Sequence, residues 1–360
     1  MRPVASSPAD IMLGPNAAAF RASALASAAS SGGGVVVNAG ANDGVTGDPT
    51  WPFALAGWRV LEIEGAAKYV PKLRALREKH ANIDIFEGFV LPETVQGVLE
   101  DHGIPKSFAF FKIDIDSIDC VVVNATLSLG YRPMWIEMEF NPEVPPPLRF
   151  SPKYDSSANY DHRYGCYSCS LQGEVDLLRV YGYVLITASF KNAVFARRDV
   201  AEGFYAGVPL PTSVAAFQGA RHKARGECTT QGRRRFCTAV RAETVDGPFS
   251  LPRPFHLCEA THATHTCAAL WASDVEDARA SDAARRGTAL RRVDALLGHA
   301  CRRTQGDLGK AGSWGAKHST RVVGWATAHG SVPYVLDGGA GDDDAGDFAR
   351  YFGIAAPPTR

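Results

Sequence analysis

Between residues 35 and 200, short apolar runs alternate with segments of helical period, and this alternation constrains the fold more than any other feature of the chain. The runs are Val35-Val36-Val37, "WRVLEIE" at 58–64, "NIDIFEGFV" at 82–90, "SFAFFKIDID" at 107–116 and "PMWIEMEF" at 133–140. After the first run, Asp48-Pro49 offers an N-cap and a first-turn proline for a short helix that Gly57 stops. "AAKYVPKLRALREKH" sets Tyr69, Leu73 and Leu76 on one helical face. Val95, Val98 and Leu99 mark the next helix, and another runs on to Gly130, which closes it. Apolar strands joined through helices require a parallel sheet covered on both faces.

The end of this stretch breaks the rule. A helix on Leu171, Val175 and Leu178 stops at Gly182, and "YVLITASF" and "AVFARR" then flank Lys191-Asn192. A connection that short joins only antiparallel strands. The expected fold is α/β, a doubly wound, mostly parallel sheet with an antiparallel terminal hairpin.

Three segments follow from this reading. Residues 1–34 are a tail with an Ala-rich helix over roughly 16–29. Residues 35–200 are the α/β domain, and 201–360 form a weakly specified C-terminal extension, partly disordered, with "DGGAGDDDAGD" at 337–347 as its clearest loop. The formal net charge is zero, so nothing global favours nucleic acid or an anionic membrane. No apolar stretch is long enough for a membrane span. The N-terminus lacks the apolar core of a secretory signal, so a cytoplasmic protein with reduced thiols is expected, a transit peptide being the alternative.

The first run ends as "VVVNAGANDG", 35–44. In a doubly wound sheet, ligands sit at the carboxyl ends of the strands. Gly40 and Gly44 there permit unusual dihedrals and a close approach to the backbone. The loop does not read as G-x-G-x-x-G, since Asn42 stands where the second glycine belongs and Asp43 would oppose a pyrophosphate. No Gly-Lys-Ser/Thr follows, so it is not a P-loop. A ligand with an adenosine and a cationic or zwitterionic tail remains, S-adenosylmethionine. Asn38, Gly40, Asn42 and Gly44 are the candidates for its methionine end. Glu64 closes the second run and can accept both ribose hydroxyls; Glu62, two residues earlier on the same face, is less terminal. Phe86, Glu87 and Gly88 lie where an adenine would be held, with Glu87 as the contact.

These residues resemble the FkbM-type S-adenosylmethionine-dependent methyltransferases, within the class I methyltransferase fold. The resemblance rests on "VVNAGANDG", "VLEIEG", "FFKIDIDSID", "IEMEFNPEVPPP" and "GYVLITASFKNAVFARRD", and covers roughly 35–200. It implies a seven-stranded Rossmann-like sheet and methylation of a hydroxyl on a sugar or small natural product, a nitrogen acceptor coming second. The partner so implied is a small-molecule or glycan acceptor. Two departures stand out. Asn38 replaces the acid common at the end of the first strand, and Asp116-Ser117-Ile118-Asp119 replaces the family's acidic-glycine motif.

Asp114 and Asp116 leave the fourth strand beside the expected methyl group and are the catalytic candidates. One of them could serve as general base, or, with the acids ending the fifth strand, offer oxygen ligands to Mg²⁺. Asp114-Ile115-Asp116 is also a D-x-D, which opens a rival reading as a metal-dependent nucleotide-sugar transferase. A non-catalytic methyltransferase-fold binding module is the third. His162, Tyr154, Asp155 and Tyr160 are acceptor-loop candidates, and Cys166-Tyr167-Ser168-Cys169 reads as a packed turn before a helix.

Overall fold

The computed structural model describes residues 34–154, 167–189, 191–205, 207 and 209–217, with positions 284, 288, 334–337 and 352 beyond them. The N-terminal helix, Asp155, Tyr160, His162, Cys166 and the 337–347 loop after its first residue lie outside the described residues.

The chain divides into two compact units. The first takes in the described part of Met1–Ile115, with Val121–Glu139 and Tyr181–Pro211, and holds a seven-stranded sheet. Its strands are β1 (Val35–Ala39), β2 (Arg59–Glu64), β3 (Ile83–Glu87), β4 (Phe110–Ile113), β5 (Trp135–Glu139), β7 (Tyr183–Ser189) and β8 (Asn192–Arg197). They lie in the order β3-β2-β1-β4-β5-β8-β7, the first five parallel and the last two antiparallel. The expected fold is present: a Rossmann-like sheet whose order reverses at β1, with an antiparallel hairpin at one end.

The helices match the expected segments with shifted ends. α1 (Trp51–Leu55) starts two residues after Pro49, because the Asp48 carboxylate accepts the Thr50 N–H at 2.7 Å and holds that turn outside the helix. α2 (Val70–Lys79) carries Pro71 in its first turn, where no N–H is needed, and Arg77 and Lys79 in its last. α3 (Val95–Asp101) buries Val95, Val98 and Leu99, as its spacing requires. α4 (Asp119–Ser128) and α5 (Leu171–Val180) precede β5 and β7, and α6 (Arg198–Phe204) follows β8.

One face of the sheet has two zones. Val36, Val60, Ile83, Phe110, Trp135 and Ala196 form its apolar part and pack with Phe53, Trp58 and Leu73. Two residues further along β2, β1, β4 and β5 the face becomes polar, while β3 keeps an apolar Ile85. Glu62 pairs in register with Asn38, Asn38 with Lys112, and Lys112 with Glu137. In-register neighbours of a parallel sheet point to the same side, so these four form one row across β2, β1, β4 and β5. All four are at most 5% exposed.

The second unit takes in Asp116–Cys120, Phe140–Val180 and the described part of Thr212–Arg360. It contains a pair the strand periodicity does not announce: β6 (Arg149–Pro152) runs antiparallel to β9 (Tyr334–Asp337). Cys120 and Cys169 form a disulfide across 49 residues of sequence, which corrects the expectation of reduced thiols for this pair. Around it the Ser168 N–H donates to the Ser117 carbonyl at 2.6 Å and the Ser168 hydroxyl to Asp119 at 2.9 Å. The Asn141 N–H donates to the Cys169 carbonyl at 2.6 Å. Cys169 therefore pairs with a distant cysteine rather than with its C-x-x-C neighbour, because strand-like pairing with Phe140 sets its place.

Candidate functional site

The turn after β1 is built around Gly40. Its φ is +80°, a region that costs an L-residue about 1–2 kcal/mol. A Cβ at this position would stand 1.8 Å from the Asp114 carbonyl oxygen. The loop thus crosses the end of β4 backbone to backbone, and only glycine fits. Asn42 follows with φ +54° and is exposed; Gly44 has φ +69° and is buried against Leu73 and Leu76.

The loop's N–H groups are spent internally. Those of Gly40 and Ala41 donate to the Ile63 carbonyl at 3.0 and 3.1 Å, and that of Gly44 to the Ala41 carbonyl at 2.8 Å. The Asn42 N–H donates to Glu64 Oε2 at 2.7 Å. Asp43 turns back on its own segment, accepting from the Thr46 N–H at 2.8 Å and the Thr46 hydroxyl at 2.9 Å. These bonds, the Thr46 N–H foremost, hold its carboxyl below the usual range. A pyrophosphate needs free N–H donors, and these four are already engaged.

Glu64 sits at the rim of β2, 7% exposed. Its Oε1 accepts the Ala66 N–H at 2.6 Å, so one carboxylate ties the loop to the segment after β2. Glu87, the adenine candidate, is held by Arg74, whose Nε lies 2.6 Å from Oε1 while Nη2 meets Oε2. That hydrogen bond keeps the Glu87 carboxyl below its ordinary value. The periodicity gave no sign of Phe89, which is 70% exposed. A Cβ at Gly65 would lie 2.2 Å from its ring, so the ring packs against the Gly65 backbone beside Glu64.

Asp114 is half-buried at the end of β4, and its N–H donates to the Ala39 carbonyl at 3.0 Å. Its carboxylate comes within 4.8 Å of that of Glu139, which is fully buried and ion-paired with Lys191. Asp116 is half-buried with φ +54°.

Beneath the loop runs the buried polar row. Lys112 Nζ donates to the Gly40 carbonyl at 2.7 Å. Burial works against its charge, but Asp114, Asp48, Glu137 and Glu62 together outweigh it and hold the ammonium in its charged form. Asn38 Nδ2 donates to Asp48 Oδ2 at 2.7 Å and to Glu62 Oε2 at 2.6 Å. Burial and then the Asp48 charge push the Glu62 carboxyl well above its ordinary value. At the far end Asn192 Nδ2 donates to Glu137 Oε1 at 3.2 Å, and burial raises the Glu137 carboxyl to about 7. Lys112, Asp48 and Thr50 were not among the sequence candidates. The available signal was a polar residue interrupting each apolar run, as in "VVVNA", "VLEIE", "FFKI" and "WIEME", the second and fourth of which carry two glutamates each.

Solved structures similar to this chain include three named as methyltransferases. The glycopeptide N-methyltransferase MtfA is 14% identical over 48% of this chain and 92% of its own, with a TM-score of 0.27. A SAM-dependent methyltransferase from Aquifex aeolicus is 10% identical over 53% and 93%, at 0.31. The 1,6-didemethyltoxoflavin-N1-methyltransferase of Burkholderia thailandensis, solved with bound 1,6-didemethyltoxoflavin and S-adenosylhomocysteine, is 16% identical over 50% and 78%, at 0.28. No family model matches the chain, and no curated protein is similar to it. Among the described residues, no helix is long and apolar enough to cross a membrane.

Proposed function

We propose that the chain is an S-adenosylmethionine-dependent methyltransferase of the FkbM type, transferring a methyl group to a hydroxyl of a sugar or small natural product. The observation that carries this reading is the loop after β1. It approaches β4 as closely as a backbone can, yet its N–H groups at Gly40, Ala41, Asn42 and Gly44 are already engaged. Such a loop suits a ligand presented flat against it without a phosphate. The same feature counts against a nucleotide-sugar donor at this site.

In this reading Gly40, Asn42 and Gly44 bound the methionine end, Asn38 holds the loop from below, and Glu64 meets the ribose. Phe89 offers a ring to the adenine, whereas Glu87, the residue the sequence points to, is held by Arg74. Asp114 and Asp116 border the acceptor. The sulfonium is already activated, so orientation supplies most of the rate and one carboxylate takes the hydroxyl proton. No step is assigned to Mg²⁺: Glu139, whose carboxylate lies near that of Asp114, is already ion-paired with Lys191.

The test is transfer from methyl-labelled S-adenosylmethionine to panels of sugars, hydroxylated natural products and amines. Label on oxygen is expected. Cofactor binding with no transfer to any class would indicate a binding module. Turnover of nucleotide sugars with Mn²⁺ would establish the D-x-D alternative.

A further inference from the structure

Asn38 and Glu62 share a register position on adjacent parallel strands, and both are fully buried. The Asn38 amide N–H donates to Glu62 Oε2 at 2.6 Å. The same Nδ2 donates to Asp48 Oδ2 at 2.7 Å and reaches Thr50 Oγ1 at 3.2 Å, and these acceptors fix which way the amide faces. Two atoms are left over, Asn38 Oδ1 and Glu62 Oε1, both buried and neither with a hydrogen-bond partner among the described residues. Both are acceptors while the carboxylate is ionised, and a buried acceptor left unpaired costs about 1–3 kcal/mol.

We propose that Glu62 is a neutral carboxylic acid whose proton, on Oε1, is donated to Asn38 Oδ1, closing a two-bond acid–amide pair that positions the glycine loop. One proton satisfies both left-over atoms. The charged neighbours agree. Asp48 lies on one side, and Lys112 is shared among Asp114, Asp48 and Glu137 as well as Glu62, so one ammonium cannot balance every acid around it. The β3 neighbour in register, Ile85, is apolar and offers nothing. Burial acts in the same direction.

The pair lies directly under the loop. Glu62 Oε1 is 3.5 Å from where a Gly44 Cβ would be, and Asn38 is one residue from the strand end. Glu62 and Asn38 are therefore positioning residues, with Asn38 Oδ1 turned to Glu62 rather than to a ligand. The effect on ligand binding rests on the function proposed above; the proton does not.

The test uses the full chain and two readouts. Infrared difference spectra of unliganded wild type against Glu62→Gln at neutral pH should show a protonated-carboxyl C=O band that the variant lacks. S-Adenosylhomocysteine titration should find Glu62→Gln within about twofold of wild type, because a glutamine amide makes the same two bonds. Glu62→Ala, which makes neither, should bind at least about fivefold more weakly. No band at neutral pH, or Glu62→Gln as impaired as Glu62→Ala, would overturn the proposal in favour of an ionised carboxylate. If folded wild type does not bind S-adenosylhomocysteine, the cofactor reading fails and the infrared band alone decides the proton.

Discussion

Gly40 lies so close to Asp114 that a first side-chain carbon at residue 40 would stand 1.8 Å from the Asp114 carbonyl oxygen. The contact joins the turn after β1 to the end of β4. Gly40→Ala must displace that backbone and also adopt φ +80°. The expected loss is on the order of 3 kcal/mol or more, combining left-handed strain with overpacking. Gly47 is the control, since it has φ +72° but nothing within 4 Å of its would-be Cβ. Gly47→Ala should cost only about 1 kcal/mol. Denaturant midpoints of the two variants check the difference, and equal losses would remove the Asp114 contact from the explanation.

Glu137 predicts a pH dependence. Its folded-state pKa of about 7 lies above the ordinary 4.5, so the folded protein binds that proton more tightly than the unfolded chain does. Its contribution is therefore greatest at low pH and declines as pH rises from 4.5 to about 7. The span is about 3 kcal/mol at most. Glu137→Gln keeps the bond with Asn192 and cannot ionise. Relative to wild type it should gain stability across that window and stay level above it. A difference that is flat with pH, or that slopes the other way, would contradict the assignment.

The disulfide predicts a redox dependence. Cys120–Cys169 closes a loop of 49 residues, which the chain-entropy account values at about 4 kcal/mol. Reductant, or Cys120→Ser, should lower the unfolding midpoint, and alkylation without reductant should leave Cys120 and Cys169 unlabelled. Labelling of both in the folded, unreduced protein would show that the bond does not form.

Phe89→Ala tests the ring beside Gly65. If it carries an adenine, S-adenosylhomocysteine affinity should fall by about 1–3 kcal/mol, the range for a base on an aromatic face. The residue is 70% exposed, so fold stability should change little. Unchanged affinity would move the adenine elsewhere.

Much of the sheet could be read from sequence because its strands are buried on both faces. "VVVNA", "VLEIE" and "WIEME" are apolar enough to stand out, and the glycines between elements mark where helices stop. The polar row was not legible as a row. Asn38, Glu62, Lys112 and Glu137 lie in separate runs, and only the strand register aligns them. Glu64 could be placed at a strand end, but its bond to the Asn42 N–H depends on how the loop folds over it. The β6–β9 pair and the Cys120–Cys169 bond join distant segments with no periodic signal to connect them.

The most direct test of the central claim is calorimetric titration of the folded full chain with S-adenosylhomocysteine, wild type beside Glu64→Ala. The account predicts binding in the micromolar range or tighter, weakened at least about tenfold in the variant, or 1.4 kcal/mol. Folded wild-type protein that does not bind would contradict it.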